Sequence, residues 1–175
     1  MSVVAFIPAR GGSKSIPDKN IKLFCGKPLL FWVISQLQNS KVDKIVVATD
    51  SQRIKRFVEE SNFSKIEIYN RKSENATDNA STESVILEYI NQSNLLDVDV
   101  FMLVQATSPF TQEKHFNEGL ELLDDDDGTY ASSFYLGPLG THLLAPSFFV
   151  CDLTSFLYGC TALQKMQYCH GLDIQ

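Results

Sequence analysis

The feature that most constrains this chain is a regular alternation of short apolar runs with segments of helical period. Val3 to Pro8 is apolar and stops at a proline, and Lys44 to Thr49 (KIVVAT) is β-branched and stops at Asp50. Ile66 to Tyr69 and Val98 to Val104 (VDVFMLV) are of the same kind, and short apolar runs bounded by turn residues read as buried strands. Between them lie segments with apolar residues at helical spacing. Pro28 to Asn39 carries its proline at an early, harmless position. Ser51 to Asn62 presents Ile54, Phe57 and Val58, and Thr82 to Gln92 presents Val85, Ile86, Tyr89 and Ile90. Gln112 to Leu123 is the last helix, closed by Asp124 to Gly128. Strands separated by helices of this length predict right-handed crossovers and an α/β fold with a doubly wound, mainly parallel sheet. The segments after Pro8, Thr49, Tyr69 and Val104 then share the carboxyl edge of the sheet, where such folds bind ligands.

Composition changes near residue 128. Residues 129–175 hold only three charged side chains, Asp152, Lys165 and Asp173, three of the four cysteines, and no arginine. The reading is an α/β domain over residues 1–128 and a divergent tail over 129–175, with TYASSFYL at 129–136 as a last strand. HLLAPSFFVCDLTSFL has no clear period and is left unassigned. The net charge of −6 lacks the basic excess of a general nucleic-acid binder. No apolar run is long enough to span a membrane, and MSVVAFIPARGG lacks the basic start and cleavage site of a signal peptide, so the expected location is cytoplasmic. Cys25, Cys151, Cys160 and Cys169 match no zinc spacing and read as reduced structural thiols.

The segment from Ile7 to Asn20, IPARGGSKSIPDKN, follows a strand and gathers Arg10, Lys14 and Lys19 around Gly11 and Gly12. Glycines let backbone N–H groups approach a phosphate, and three cations offset much of a triphosphate's charge. Asn20 offers a donor and an acceptor suited to a ribose hydroxyl or base edge. The spacing fits neither a P-loop nor a dinucleotide fingerprint, and an ordinary basic surface loop is the competing reading.

The string ARGGSKSIPDKNIKLFCGKPLL resembles the opening of N-acylneuraminate cytidylyltransferases and of the cytidylyltransferases for legionaminic and pseudaminic acids. IVVATDS at 45–51, NRKSENATDNAST at 70–82 and LVQATSPF at 103–110 resemble further motifs of that family in the same order. The resemblance spans roughly residues 3–123. It implies a Rossmann-like sheet of the nucleotide-diphospho-sugar transferase type and joining of CTP to the anomeric hydroxyl of an acidic nine-carbon sugar. By the same resemblance Arg10, Gly11, Gly12, Ser13, Lys14 and Lys19 hold the phosphates, with Arg10 and Lys19 stabilising the leaving pyrophosphate. Asn20 lies near ribose or base, Arg71 and Thr82 contact the cytidine, and Gln105 faces the sugar. Taken alone, Arg71 reads as a solvated loop arginine, Gln105 as a strand-end amide and Thr82 as a helix cap.

The family's cofactor is Mg²⁺, held by an Asp-x-Asp motif. Here Asp173 matches the first aspartate and Gln175 stands at the second place. The Asp124 to Asp127 run reads as a solvated loop at the wrong end of the sheet. The family's Arg-rich sugar-binding stretch and its dimerisation segment have no match after residue 128. A homodimer is the family's expectation without a recognisable segment to make it. Three readings remain: a CMP-sugar synthetase, an inactive nucleotide-binding remnant of that family, and a 3-deoxy-manno-octulosonate enzyme. Gln105-Ala-Thr-Ser-Pro109, where that last branch carries Gln-Gly-Asp-Glu-Pro, ranks it third.

Overall fold

The computed structural model describes residues 2–12, 16–72, 82–93, 100–125, 131–132 and 148–152. In chain order the elements are β1 (Val3–Pro8), a small hairpin of β2 (Leu23–Phe24) and β3 (Lys27–Pro28), and helix α1 (Leu29–Asn39). Next come β4 (Lys44–Thr49), α2 (Gln52–Glu60), β5 (Ile66–Asn70), α3 (Thr82–Ser93) and β6 (Val100–Val104). Helix α4 (Glu113–Asp125) and strands β7 (Ala131–Ser132) and β8 (Phe148–Asp152) complete the set.

The sheet runs β5-β4-β1-β6-β8-β7. Its first four strands are mutually parallel, and β8 pairs antiparallel with both β6 and β7. The strand order steps outward from β1 to β4 to β5, then returns to the other side of β1 with β6, so the reversal falls beside β1. Right-handed crossovers put helices on opposite faces when the direction of winding reverses, and the core follows that rule. Helices α1 and α2 pack Leu30, Val33, Ile34, Leu37, Ile54 and Val58 against Val3, Ala5, Ile7, Ile45 and Val47 on one face. Helix α3 packs Val85, Ile86, Tyr89 and Ile90 against Val4, Phe6, Val46, Phe101 and Leu103 on the other. Alternate residues of β1 therefore serve the two faces, and each strand is apolar on both sides because both are covered. Helix α4 joins the α1 face through Phe116, Leu120 and Leu123.

Two features differ from the sequence expectation. The β2–β3 hairpin has no forecast; it turns on Cys25 at φ 49° and Gly26 at φ 80°, the double positive-φ pattern of a tight hairpin. Its position is fixed from outside by Trp32 of α1, whose Nε1–H donates to the Phe24 carbonyl at 2.9 Å. The unassigned tail segment supplies β8, which pairs with β6 over five residues from Val100↔Asp152 to Val104↔Phe148. Of the strand expected at 129–136, Ala131–Ser132 pairs with β8. Among the described residues no helix is long and apolar enough to cross a membrane.

Candidate functional site

Parallel register aligns the strand ends: Pro8 lies opposite Ala48, and Thr49 opposite Asn70. The chain thus leaves β1, β4 and β5 side by side, delivering Arg10, Asp50 and Arg71 to one edge, with Gln105 leaving β6 beyond β1. Backbone bonds continue the ladder past the strands: Ala9 N–H donates to Ala48 O at 2.9 Å, and Arg71 N–H to Thr49 O at 3.3 Å.

The glycine pair behaves asymmetrically. Gly11 N–H donates to Asp50 Oδ1 at 2.9 Å. A Cβ on Gly11 would stand 2.8 Å from the Ser51 Cβ, closer than such atoms ever come. Ser51 is itself fixed as the N-cap of α2, its side chain accepting from Ile54 N–H. Gly11 is therefore small because the β1 and β4 loops pack against each other. A Cβ on Gly12 would meet nothing within 4 Å. Asn20, buried on the one-turn 3₁₀ helix Lys19–Ile21, donates from Nδ2 to the Arg10 carbonyl at 3.0 Å. The far end of the basic loop thus clamps its near end. Asp18, which opens that turn, forms an ion pair with Arg53 of α2.

Arg71 is half-buried, and burial lowers its guanidinium pKa; Asp50 opposes this, the Arg10 cation adds to it, and Glu88 opposes it. Two cations repel each other across the end of β4, with the Asp50 carboxylate rooted in the strand between them. Glu88 and Asp50 are the site residues absent from the sequence reading. Glu88, on α3 and only 8% exposed, accepts from Tyr69 Oη at 2.6 Å and from Lys72 N–H at 3.1 Å. Burial first, and then Glu88, push the Tyr69 hydroxyl well above the ordinary tyrosine range, so it remains a donor. The available signals were positional: Asp50 directly follows a parallel strand, and Glu88 flanks an apolar helical stripe.

The remaining expected residues are distributed around this edge. Lys19 sits half-buried on the 3₁₀ turn, Gln105 is half-buried directly after β6, and Thr82 is exposed at the start of α3. Ser13, Lys14 and Asp173 lie outside the described residues. The C-terminal half of α4, which leads into Asp124 and Asp125, lies beside Lys41 ahead of β4: Lys41 Nζ bonds Glu121 at 2.7 Å. That is the amino edge, away from Arg10 and Arg71. Among the described residues no group of three His, Cys, Asp or Glu side chains could hold a metal ion. Asp50, which follows β4 between the strands that lead to the two arginines, is bonded to Gly11 N–H.

An edge with two arginines, a lysine and a tightly packed glycine loop suits a polyanion. The family model described as Cytidylyltransferase matches residues 4–137, well over half of the chain. The chain belongs to the cytidylyltransferase family. Within the family it is 37% identical to N-acylneuraminate cytidylyltransferase B of Danio rerio over 129 residues, 74% of this chain and 29% of that protein. It is 34% identical to N-acylneuraminate cytidylyltransferase of Streptococcus agalactiae serotype III over 137 residues, 77% of this chain and 32% of that protein. CMP-N,N'-diacetyllegionaminic acid synthase of Legionella pneumophila is 34% identical over 125 residues, 70% of this chain and 53% of that protein. The chain thus spans about a third of the length of the N-acylneuraminate relatives. Its fold resembles that of CMP:2-keto-3-deoxy-manno-octonic acid synthetase complexed with CTP, with TM-score 0.68 at 17% identity over 92% of this chain and 78% of that one. A cytidylyltransferase from Leptospira borgpetersenii gives the same TM-score of 0.68 at 15% identity, over 92% of this chain and 64% of that one. The family match covers all four strand ends that meet at the site, from Arg10 to Gln105.

Proposed function

We propose that this chain binds CTP across the carboxyl edge of its sheet and joins CMP to the anomeric hydroxyl of N-acylneuraminate or a related nine-carbon acidic sugar. The observation that supports this most is the parallel register that brings the loops carrying Arg10 and Arg71 to the same sheet edge, on either side of the end of β4. A multiply charged anion suits an edge that presents two guanidinium groups. The names of the relatives favour a cytidine nucleotide and an acidic sugar as the substrates.

In this reading the anomeric oxygen attacks the α-phosphorus in line, and the bond from that phosphorus to the bridging oxygen breaks. The hydroxyl proton passes to solvent, and pyrophosphate leaves with the electron pair. The residues act by positioning and by neutralising charge. Arg10, Lys14 and Lys19 stabilise the pyrophosphate, Arg71 and Thr82 hold the cytidine, and Gln105 meets the sugar. Asn20 and Gly11 hold the loop in shape. Mg²⁺, when bound, supplies further charge neutralisation at phosphate oxygens; Asp173 is the one ligand this reading assigns to it. A homodimer in the cytoplasm belongs to the same proposal, carried by the family resemblance.

A second reading, CTP binding without turnover, is favoured by one fact: no arginine stands between Lys72 and Gln175 to meet the sugar carboxylate. One experiment separates the two. Purified protein receives CTP, Mg²⁺ and N-acetylneuraminic acid, with pyrophosphate release followed beside calorimetric CTP binding. Sugar-dependent release that is lost in Lys19→Ala supports the enzyme. Binding without release supports the second reading. Release with 3-deoxy-manno-octulosonate alone would replace the acceptor, and no CTP binding would sink both readings.

A further inference from the structure

The nucleotide reading uses Arg71 and leaves unexplained the acid that grips the same stretch of chain. Glu88 is on α3, 8% exposed, in a layer otherwise built from Val85, Ile86, Tyr89 and Ile90. A carboxylate there is costly unless it is well satisfied. Tyr69 and Lys72, which donate to it, lie on the segment that carries Arg71: Tyr69 two residues before it, and Lys72 directly after it. The Tyr69 ring is held edge-on against Tyr89, with centroids 5.0 Å apart, so its hydroxyl has a fixed approach to the acid. Thr49 O anchors the Arg71 backbone from the β4 side at 3.3 Å. The strand end is therefore held from two directions, by β4 through the backbone and by α3 through one carboxylate.

We propose that Glu88 is a positioning residue: by holding Tyr69 and Lys72 it sets the direction in which Arg71 meets the nucleotide, acting on affinity and not on turnover. The inference depends on the nucleotide reading above. Its chemistry is specific: the negative charge of Glu88 also steadies the Arg71 cation against burial and against Arg10. Glutamine at position 88 keeps the size and one acceptor oxygen, removes the charge and replaces the second oxygen by an N–H donor.

The test is a double-mutant cycle on the intact chain, with CTP as the titrant. Glu88→Gln is expected to weaken CTP binding about tenfold, a coupling within the range seen for residues in one hydrogen-bonded network. In the Arg71→Ala background the same change should cost less than about twofold. Where turnover is measurable, KM should rise with kcat unchanged. Equal losses in both backgrounds, or unchanged affinity with a lowered melting temperature, would reduce Glu88 to a structural role and overturn the inference. If Glu88→Gln does not fold, Tyr69→Phe replaces it in the same cycle. That variant keeps the charge and removes the 2.6 Å bond, and its smaller loss should also vanish with Arg71→Ala; an additive loss overturns the inference. CTP binding by the wild-type chain with an additive cycle defeats this inference alone, whereas no binding by the wild type defeats the nucleotide reading with it.

Discussion

The backbone N–H of Gly11 donates to the Asp50 carboxylate at 2.9 Å, so a glycine that reads in sequence as a phosphate cradle is held by a side chain of the neighbouring strand loop. The acid shapes the loop, yet its charge opposes any phosphate bound there. Asparagine keeps the acceptor and removes the charge. Asp50→Asn is therefore expected to bind CTP about threefold more tightly at low salt, the scale of an exposed charge interaction. The gain should shrink at high salt as screening sets in. Asp50→Ala, which also loses the acceptor, should bind more weakly than wild type. Calorimetric titrations at two ionic strengths check both directions, and weaker binding by Asp50→Asn would count against a phosphate site.

Gly11→Ala places a methyl 2.8 Å from Ser51 Cβ, while Gly12→Ala meets nothing within 4 Å. Overpacking of this kind costs about 1–3 kcal/mol. Urea midpoints should fall clearly for Gly11→Ala and stay unchanged or rise slightly for Gly12→Ala, whose backbone suits any residue. Adding Ser51→Gly to Gly11→Ala should recover part of the loss, since it removes the clashing atom while glycine remains tolerable at a helix N-cap.

His115, in the first turn of α4, accepts the Gln112 N–H on Nδ1 at 3.1 Å, which requires that nitrogen unprotonated. Burial lowers its pKa from the ordinary 6.5, Lys114 adds to this, and Glu118 opposes it. Below 6.5 and above the folded value, the unfolded chain carries more protons at this site, so stability rises with pH there. The contribution is complete above 6.5 and is lost as pH falls towards the folded value. Denaturation midpoints at several pH values from about 5 to 8 should show this slope flattened in His115→Asn.

The Asp18–Arg53 ion pair links the basic loop to α2, but the Arg53 side chain is 70% exposed. Exposed pairs contribute about 0–1 kcal/mol. Arg53→Ala is expected to change stability by less than about 1 kcal/mol and CTP affinity by less than about threefold. A larger fall in affinity would mean that this pair, and not Asn20, holds the basic loop.

Much of the fold was legible because its signals are local. KIVVAT ends at Asp50 as a strand must when both faces are covered, and Ile54 and Val58 mark the buried side of α2. The basic stretch from Arg10 to Lys19, following a strand, read either as an anion loop or as an ordinary basic surface loop. The β2–β3 hairpin was hidden because each strand has only two residues and its turn is Cys25-Gly26, outside the usual Asn-Gly signal.

What the sequence determined by itself was the four parallel strands β1, β4, β5 and β6, the four helices, and the motifs that ally this chain with the cytidylyltransferases; all of these follow from neighbours within a few residues. Only the tertiary structure decided that β8 lies antiparallel between β6 and β7, that Gly11 answers to Asp50 and Ser51, and that Glu88 reaches the strand end carrying Arg71. Those are contacts between residues 16 to 52 positions apart. No local period encodes them, because they are set by which backbone edges and which buried polar groups are left needing partners once the sheet has closed.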